Sequence, residues 1–240
     1  MGNEKFLDKS AGRIGRLFDS IASSYDLINT VLSLGIDRLW RIKAVNALNI
    51  KDGDIVLDIA TGTGMSALEA FRRARCTVIG LDLSTGMLAG AKTRLNKYRN
   101  NGKFHPVKAD ALFMPFPDNS FEKMLICFGI RNIPDTAAFL KECHKVLKPE
   151  GLMSILELSI PQNFFIRCVY LVYFRFILPY LGGLISGDFA SYRYLRDSVI
   201  GFPAPASLAA IMKDCGFDVL EKSPAFFGAS YLYLIKKSLL

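Results

Sequence analysis

A chain of 240 residues, 51% of them hydrophobic and carrying 30 Lys and Arg against 22 Asp and Glu, is long enough to bury a large core and too apolar to be a disordered polyelectrolyte. Its five cysteines are scattered, its histidines number two, and no C-x-x-C pair occurs, which argues for a reducing compartment and against a structural metal. The net charge of +8 is compatible with nucleic acid, with an anionic membrane, or with solubility alone.

The opening Met1-Gly2-Asn3-Glu4-Lys5-Phe6 has neither an apolar signal core nor an Arg-rich transit pattern, so a cytoplasmic protein is expected. From Leu17 to Leu48 apolar residues recur at helical spacing, with a break at Ser33-Leu34-Gly35. Two helices, forming a cap over residues 1–50, should therefore precede the first strand. Beyond them, strands are expected near 55–60, 76–82, 103–109, 121–128 and 151–158, with helices near 64–74, 84–98 and 134–147 between them. Ser84 and Pro134 sit at plausible helix starts, and Lys148-Pro149-Glu150-Gly151 reads as a stop and turn. This alternation implies right-handed crossovers and a parallel sheet with helices on both faces, in one α/β domain over 1–240. A helix over Ala204–Cys215 and strands at Asp218–Leu220 and Ser230–Ile235 close the chain.

Ile55-Val56-Leu57-Asp58-Ile59-Ala60-Thr61-Gly62-Thr63-Gly64 is a buried-strand run feeding a glycine turn, where backbone can approach a ligand. Asp82 ends the next apolar run, 24 residues after Asp58, a spacing that suits a carboxylate accepting from the hydroxyls of a ribose. The dinucleotide pattern G-x-G-x-x-G lacks its third glycine here, and Asp58 would repel a pyrophosphate while helping to hold a cationic amino-acid moiety. These features favour S-adenosylmethionine over NAD; a plain strand-to-helix connection is the alternative.

At the carboxyl ends of the later strands stand Asp110, Cys127 and Glu157. Asp110 with the Ala111 amide could recognise an adenine edge, or could be a solvated loop residue. Cys127, without a flanking base, reads as a buried thiol rather than a nucleophile. Its segment has no Asn or Asp followed by two prolines and an aromatic, and no basic-aromatic interleaving, so no nucleic-acid acceptor is expected.

The region 160–200 is a helical insertion whose stretch Phe164–Leu178 is almost wholly apolar or aromatic. Arg167 and Arg175 break it, and Pro179 with Gly182-Gly183 should end it short of the ~20 apolar residues a membrane span needs. A helix lying over the active site, in contact with a membrane surface, is expected; a dimer interface or a core helix is the alternative.

Taken together, the residues resemble the ubiquinone/menaquinone biosynthesis C-methyltransferases over nearly the whole chain. The likeness is carried by Phe18–Asn29 with Trp40, Pro115–Phe121, Phe128-Gly129-Ile130-Arg131-Asn132, Val146–Pro149 with Glu157 and Ser159, and Ser191–Leu195. It implies a Rossmann-like class I methyltransferase with a mostly parallel seven-stranded sheet. It also implies S-adenosylmethionine contacts at Thr63, Asp82, Asp110, Ala111 and position 127, beside the Asp58, Gly62 and Gly64 of the glycine turn. Asp37, Leu112, Cys127, Lys145 and Glu150 depart from the family's usual His, acidic residue, Ser, Arg and Gly.

The activity so implied is C-methylation of a prenylated quinol: demethylmenaquinol, a 2-polyprenyl-6-methoxy-benzoquinol, or both. Arg131 or Arg193 is expected to steady the developing phenolate, and Asp188 or Tyr192 to manage the proton. A salt bridge within the sheet or insertion is the competing role for either arginine. Methylation of RNA or protein, and a non-catalytic scaffold within a quinone-biosynthesis assembly, remain as other readings.

Overall fold

The computed structural model describes residues 7–33, 35–98 and 100–238. In chain order the helices and strands are α1 (Ala11–Ile21), α2 (Tyr25–Leu32), α3 (Ile36–Ala47), β1 (Ile55–Ile59), α4 (Met65–Phe71), β2 (Cys76–Asp82), α5 (Thr85–Leu95), β3 (Gly102–Lys108), β4 (Phe121–Cys127), α6 (Thr136–Val146) and β5 (Leu147–Leu158). The insertion then supplies α7 (Phe164–Val172), α8 (Leu178–Ser186) and α9 (Phe189–Ile200), and α10 (Pro205–Asp214), β6 (Phe217–Ala225) and β7 (Ser230–Lys237) complete the chain.

One seven-stranded sheet has the order β3-β2-β1-β4-β5-β7-β6. Strands β1 to β5 run parallel, and β7 enters antiparallel between β5 and β6. The apolar runs of β1 and β4 are buried on both faces, one core forming around Leu57, Met124 and Phe139 and a second around Val45, Phe71 and Leu125. Between β1 and β4 the strand order reverses, and there the helices leaving the carboxyl ends diverge and open a cleft.

Three expectations are corrected. The N-terminal segment forms three helices, because a turn at Ala22–Ser24 breaks α1 from α2 while the apolar spacing continues through it. Lys148–Gly151 is an irregularity inside β5, where the register against β4 shifts and Glu150 takes φ +63°. And Pro179 does not end the insertion helix: α7 continues through a π-helical turn at Tyr173–Ile177 into α8, giving one continuous helix that ends at Ser186 and includes an apolar stretch of 21 residues, Phe164–Leu184. Proline lacks an amide hydrogen and crowds the carbonyl four residues back, and a wider turn just before it accommodates both defects. By length and composition alone this helix is sufficient to cross a membrane.

Candidate active site

The cleft at the switch point is lined by Ala60 and Gly62 after β1, Asp82 at the end of β2, Asp110 and Ala111 after β3, and Cys127 through Gly129 after β4. Gly62 adopts φ +55°, and a Cβ there would meet nothing within 4 Å, so the turn offers bare backbone to the cleft. Asp82 is half-buried; its two carboxylate oxygens accept from the Gly62 amide (2.8 Å) and the Ser84 amide (2.9 Å). That burial raises its carboxyl above the ordinary value against the pull of these hydrogen bonds. Each oxygen keeps lone pairs for a ribose hydroxyl. Asp110 accepts from the Leu112 amide at 2.9 Å, and Ala111 is buried at the cleft wall. Bare glycine backbone, a double acceptor and an apolar wall fit an adenosyl group.

Three expected cofactor residues lie outside the cleft lining and have a different task. Asp58 is buried beneath the turn and accepts from the Thr61 hydroxyl at 2.6 Å. Burial pushes its carboxyl up to about 7; Thr61 and Arg41 pull it down and Asp82 pushes it further up. Asp58 thus shapes the turn rather than touching the cleft. The Thr63 hydroxyl donates to Asp26 on α2 at 2.6 Å, and Arg94 on α5 ties the Asp26 carboxylate to the Thr63 carbonyl. Gly64, at φ +78°, lets the turn pack on α5, since a Cβ there would stand 3.0 Å from Ala91 and Leu95. Cys127 is buried at the cleft wall, and burial pushes its thiol up to about 12, so it is a neutral group.

The N-terminal cap is the part of the site that periodicity did not show. Lys9, Ala11, Ile14, Phe18 and Tyr25 close the cleft from above. Asp19 on α1 accepts from the Ser84 hydroxyl (2.5 Å) and the Gly86 amide (2.8 Å), latching the cap to the start of α5. The acidic positions within Phe18–Asn29 were the available signal.

The expected catalytic residues separate. Arg131 is buried beyond Cys127 and Phe128; its Nη1 donates to Glu157 at 2.7 Å and to the Phe128 carbonyl at 2.6 Å, and its amide donates to Glu157 at 3.1 Å. Burial alone would lower its pKa; the Glu157 carboxylate more than offsets this, and the guanidinium stays charged. Arg131 therefore makes the salt bridge of the competing reading, yet its buried Nε has no hydrogen-bond partner among the described residues. Arg193 is exposed, because the buried face of α9 carries Ser191, Tyr192, Tyr194, Ser198 and Val199. Asp188 caps α9, accepting from the Ala190 and Ser191 amides and the Ser191 hydroxyl, which lowers its carboxyl below the ordinary value. A carboxylate stabilised in this way is a poor base. Tyr192 packs in the insertion with Phe174, Leu178 and Val199. Neither Arg193 nor Asp188 is placed as expected. Instead α9 reaches the site through Tyr194, whose hydroxyl donates to the Asn132 carboxamide oxygen at 3.1 Å.

Among the described residues no group of three or more His, Cys, Asp or Glu side chains is placed to hold a metal. A family model described as the ubiE/COQ5 methyltransferase family matches residues 7–234. A ubiquinone/menaquinone biosynthesis C-methyltransferase from Geobacter sulfurreducens is 38% identical over 97% of this chain and 91% of its own length. A demethylmenaquinone methyltransferase from Thermus thermophilus is 44% identical over 85% of this chain and 92% of its own. Among solved structures, an S-adenosylmethionine-dependent methyltransferase from Aquifex aeolicus aligns with TM-score 0.62 and 16% identity over 88% of this chain and 97% of its own. The [4+2]-cyclase SpnF aligns with TM-score 0.69 and 14% identity over 96% and 97%. A fold shared with a protein named as a cyclase does not by itself set the chemistry.

Proposed function

This chain belongs to the ubiE/COQ5 methyltransferase family and is an S-adenosylmethionine-dependent C-methyltransferase of quinone biosynthesis, and on that premise we propose that its acceptor is a prenylated hydroquinone, demethylmenaquinol before the benzoquinol. The bound S-adenosylmethionine supplies an electrophilic methyl on sulfonium. The chain's own task is to hold an electron-rich ring carbon in line with that methyl and to favour the ring phenolate. The observation that supports an apolar acceptor is that the insertion meets the cleft wall through Tyr194, bonded to Asn132, and carries beside it an apolar cluster of Phe174, Leu178, Tyr192 and Val199. Burial of each methylene of a prenyl tail against such a surface contributes about 0.8 kcal/mol. Labelled S-adenosylmethionine supplied with short-tailed demethylmenaquinol, a short-tailed ubiquinol precursor and total RNA tests the acceptor. Label in the naphthoquinol is expected; label in RNA, or none in either quinol, overturns the reading.

We also propose that the protein works in the cytoplasm at the face of an anionic bilayer, where the substrate's tail resides. Phe165, Val169, Val172, Phe176, Tyr180 and Leu184 form one stripe along the insertion helix, each between 54% and 78% exposed. Arg167 and Arg175 are exposed on the same helix, which suits lipid phosphates. A spanning orientation is disfavoured, since Phe174 and Leu178 on the opposite face are buried against α9. Phe226 and Phe227 support the surface reading independently. They hold φ of +43° and +56°, strained for any side chain, and expose two rings in the turn whose Gly228 lies against Pro161, just before α7. Co-sedimentation with vesicles containing phosphatidylglycerol, lost in 0.5 M salt or on Phe165→Ser with Phe176→Ser, is expected (roughly one Debye length of 4 Å then screens the arginines). A dimer in solution that hides the stripe from vesicles would overturn it.

A further inference from the structure

A phenolate in the cleft needs a positive charge, and neither arginine supplies it: Arg131 is held by Glu157 behind the wall, and Arg193 is exposed. Among the described residues that line the cleft, the cation is Lys9. It is half-buried, and among the described residues no hydrogen bond or ion pair holds its ammonium. The neighbouring carboxylate is taken, since Asp8 accepts from the Ser10 amide at 3.0 Å and pairs with Arg13 at 3.5 Å. Burial lowers the Lys9 ammonium below its ordinary value, Arg131 lowers it further, and Glu157 opposes this only in part. An ammonium in that state lacks an anion, which a ligand in the cleft can bring.

The course of α1 shows which part of the ligand that is. Its cleft-lining residues, Ala11, Ile14 and Phe18, fall at i, i+3 and i+7, so one face of the helix lies along the cleft. The last turns of α1 sit at the ribose end: Asp19 holds Ser84 and Gly86, and a Cβ on Gly15 would stand 3.4 Å from the Leu83 carbonyl oxygen. At 1.5 Å per residue Ala11 stands about 12 Å back along the axis from Asp19, with Lys9 beyond it. From β2 to β4 is two strand spacings, about 10 Å. Lys9 therefore lies toward the Asn132 end of the cleft, near the end of β4, where Arg131 and Glu157 act on it and where α9 arrives through Tyr194.

Resting on the hydroquinone reading above, we propose that Lys9 is a catalytic residue, its ammonium contacting the acceptor's ring oxygen next to the methylated carbon and balancing the phenolate charge. The cofactor's own carboxylate is the rival anion; the end of the cleft where the insertion meets it, and where an apolar tail is accommodated, favours the phenolate. An ammonium has three donors and no acceptor, so Lys9 stabilises charge and removes no proton. In the transfer the quinol hydroxyl gives its proton to water, and Lys9 faces the oxygen's charge. Its electron pair moves into the ring, the adjacent carbon bonds to the methyl, and the carbon–sulfur bond breaks with its pair left on sulfur as a thioether. The hydrogen on that ring carbon then leaves as a proton to water, and the ring regains aromaticity. The other titratable groups at the cleft are Tyr25, Asp82, Asp110 and Cys127, with Arg131 and Glu157 behind the wall; loss of Lys9 leaves all of them in place.

Lys9→Met and Lys9→Arg in the full chain test the proposal, the first removing the charge and the second keeping it. The direct reading is the ionisation of a short-tailed 1-naphthol, followed by absorbance while bound with S-adenosylhomocysteine; it has one hydroxyl and does not cycle through a quinone. Its bound pKa is expected to be higher on Lys9→Met than on wild type by about 1 unit or more, with Lys9→Arg recovering most of the difference. With short-tailed demethylmenaquinol kept reduced, kcat of Lys9→Met should fall roughly 10- to 100-fold, and the rising limb of its pH profile should move to higher pH. Affinity for S-adenosylhomocysteine and the melting temperature should hold, since the ammonium has no partner in the fold to lose. An equal naphthol pKa on wild type and Lys9→Met overturns the proposal. So does a loss of S-adenosylhomocysteine affinity with the naphthol pKa unmoved, which would give Lys9 to the cofactor's carboxylate. Wild-type protein that binds no naphthol and methylates no quinol overturns the acceptor reading itself, a result distinct from either of these.

Discussion

Asp58 sits at the end of β1, where a carboxylate reads from sequence as a ligand group, and its burial instead makes it a source of pH dependence. Its folded value of about 7 lies above the ordinary 3.8. Between those limits the native state keeps a proton that the unfolded chain has released, so stability present below pH 4 is lost as pH rises toward 7, at about 1.4 kcal/mol per pH unit. Asp58→Asn keeps an acceptor for Thr61 and removes that loss; the fall in melting temperature between pH 5 and pH 8 should shrink. Arg131 and Glu157 have the opposite character. Arg131→Met strands a buried carboxylate and should cost about 3–5 kcal/mol in urea unfolding, whereas Arg131→Met with Glu157→Met should recover most of it. Glu150 explains one departure from the family pattern. Glycine is expected there because the backbone is left-handed, and Glu150 holds φ +63° with only a surface pair to Lys236. Glu150→Gly should stabilise the protein by about 1 kcal/mol, read as a shift in the unfolding midpoint.

At the scale of elements, β1 and β4 were legible because a strand buried on both faces is a continuous apolar run, and their shortness, with the β-branched Ile and Val of β1, separates them from a buried helix. The insertion was misread in one respect for an equally local reason. Pro179 forbids a regular turn, but the π-turn at Tyr173–Ile177 is permitted by tertiary packing, which no period in the sequence records. That packing is close: a Cβ on Gly182 would stand 2.4 Å from the Tyr192 ring. Gly182→Ala should therefore loosen α8 from α9, at about 1–3 kcal/mol. Faster amide exchange confined to Phe164–Ile200 would report it, and exchange unchanged there would count against the packing described.

Over the whole molecule the cap, the sheet and the insertion meet at one place. Asp26 and Arg94 tie α2 and α5 to the glycine turn, and Asp19 ties α1 to α5. A ligand in the cleft touches the underside of the cap, so S-adenosylhomocysteine should protect residues 10–32 from limited proteolysis, and Asp26→Asn should weaken that protection. Short-range pattern in the sequence determined the alternating α/β order, the glycine turn and the terminal carboxylates of β1 and β2, because backbone conformation and burial leave a local signature. Which carboxylate faces the ligand, which arginine is buried and which face of the insertion is left bare were decided only when distant segments packed. Asp58 and Asp82 both end strands of one sheet, and Arg131 and Arg193 both lie near matched motifs. Their different fates follow from what covers each of them, and cover is a property of the tertiary structure.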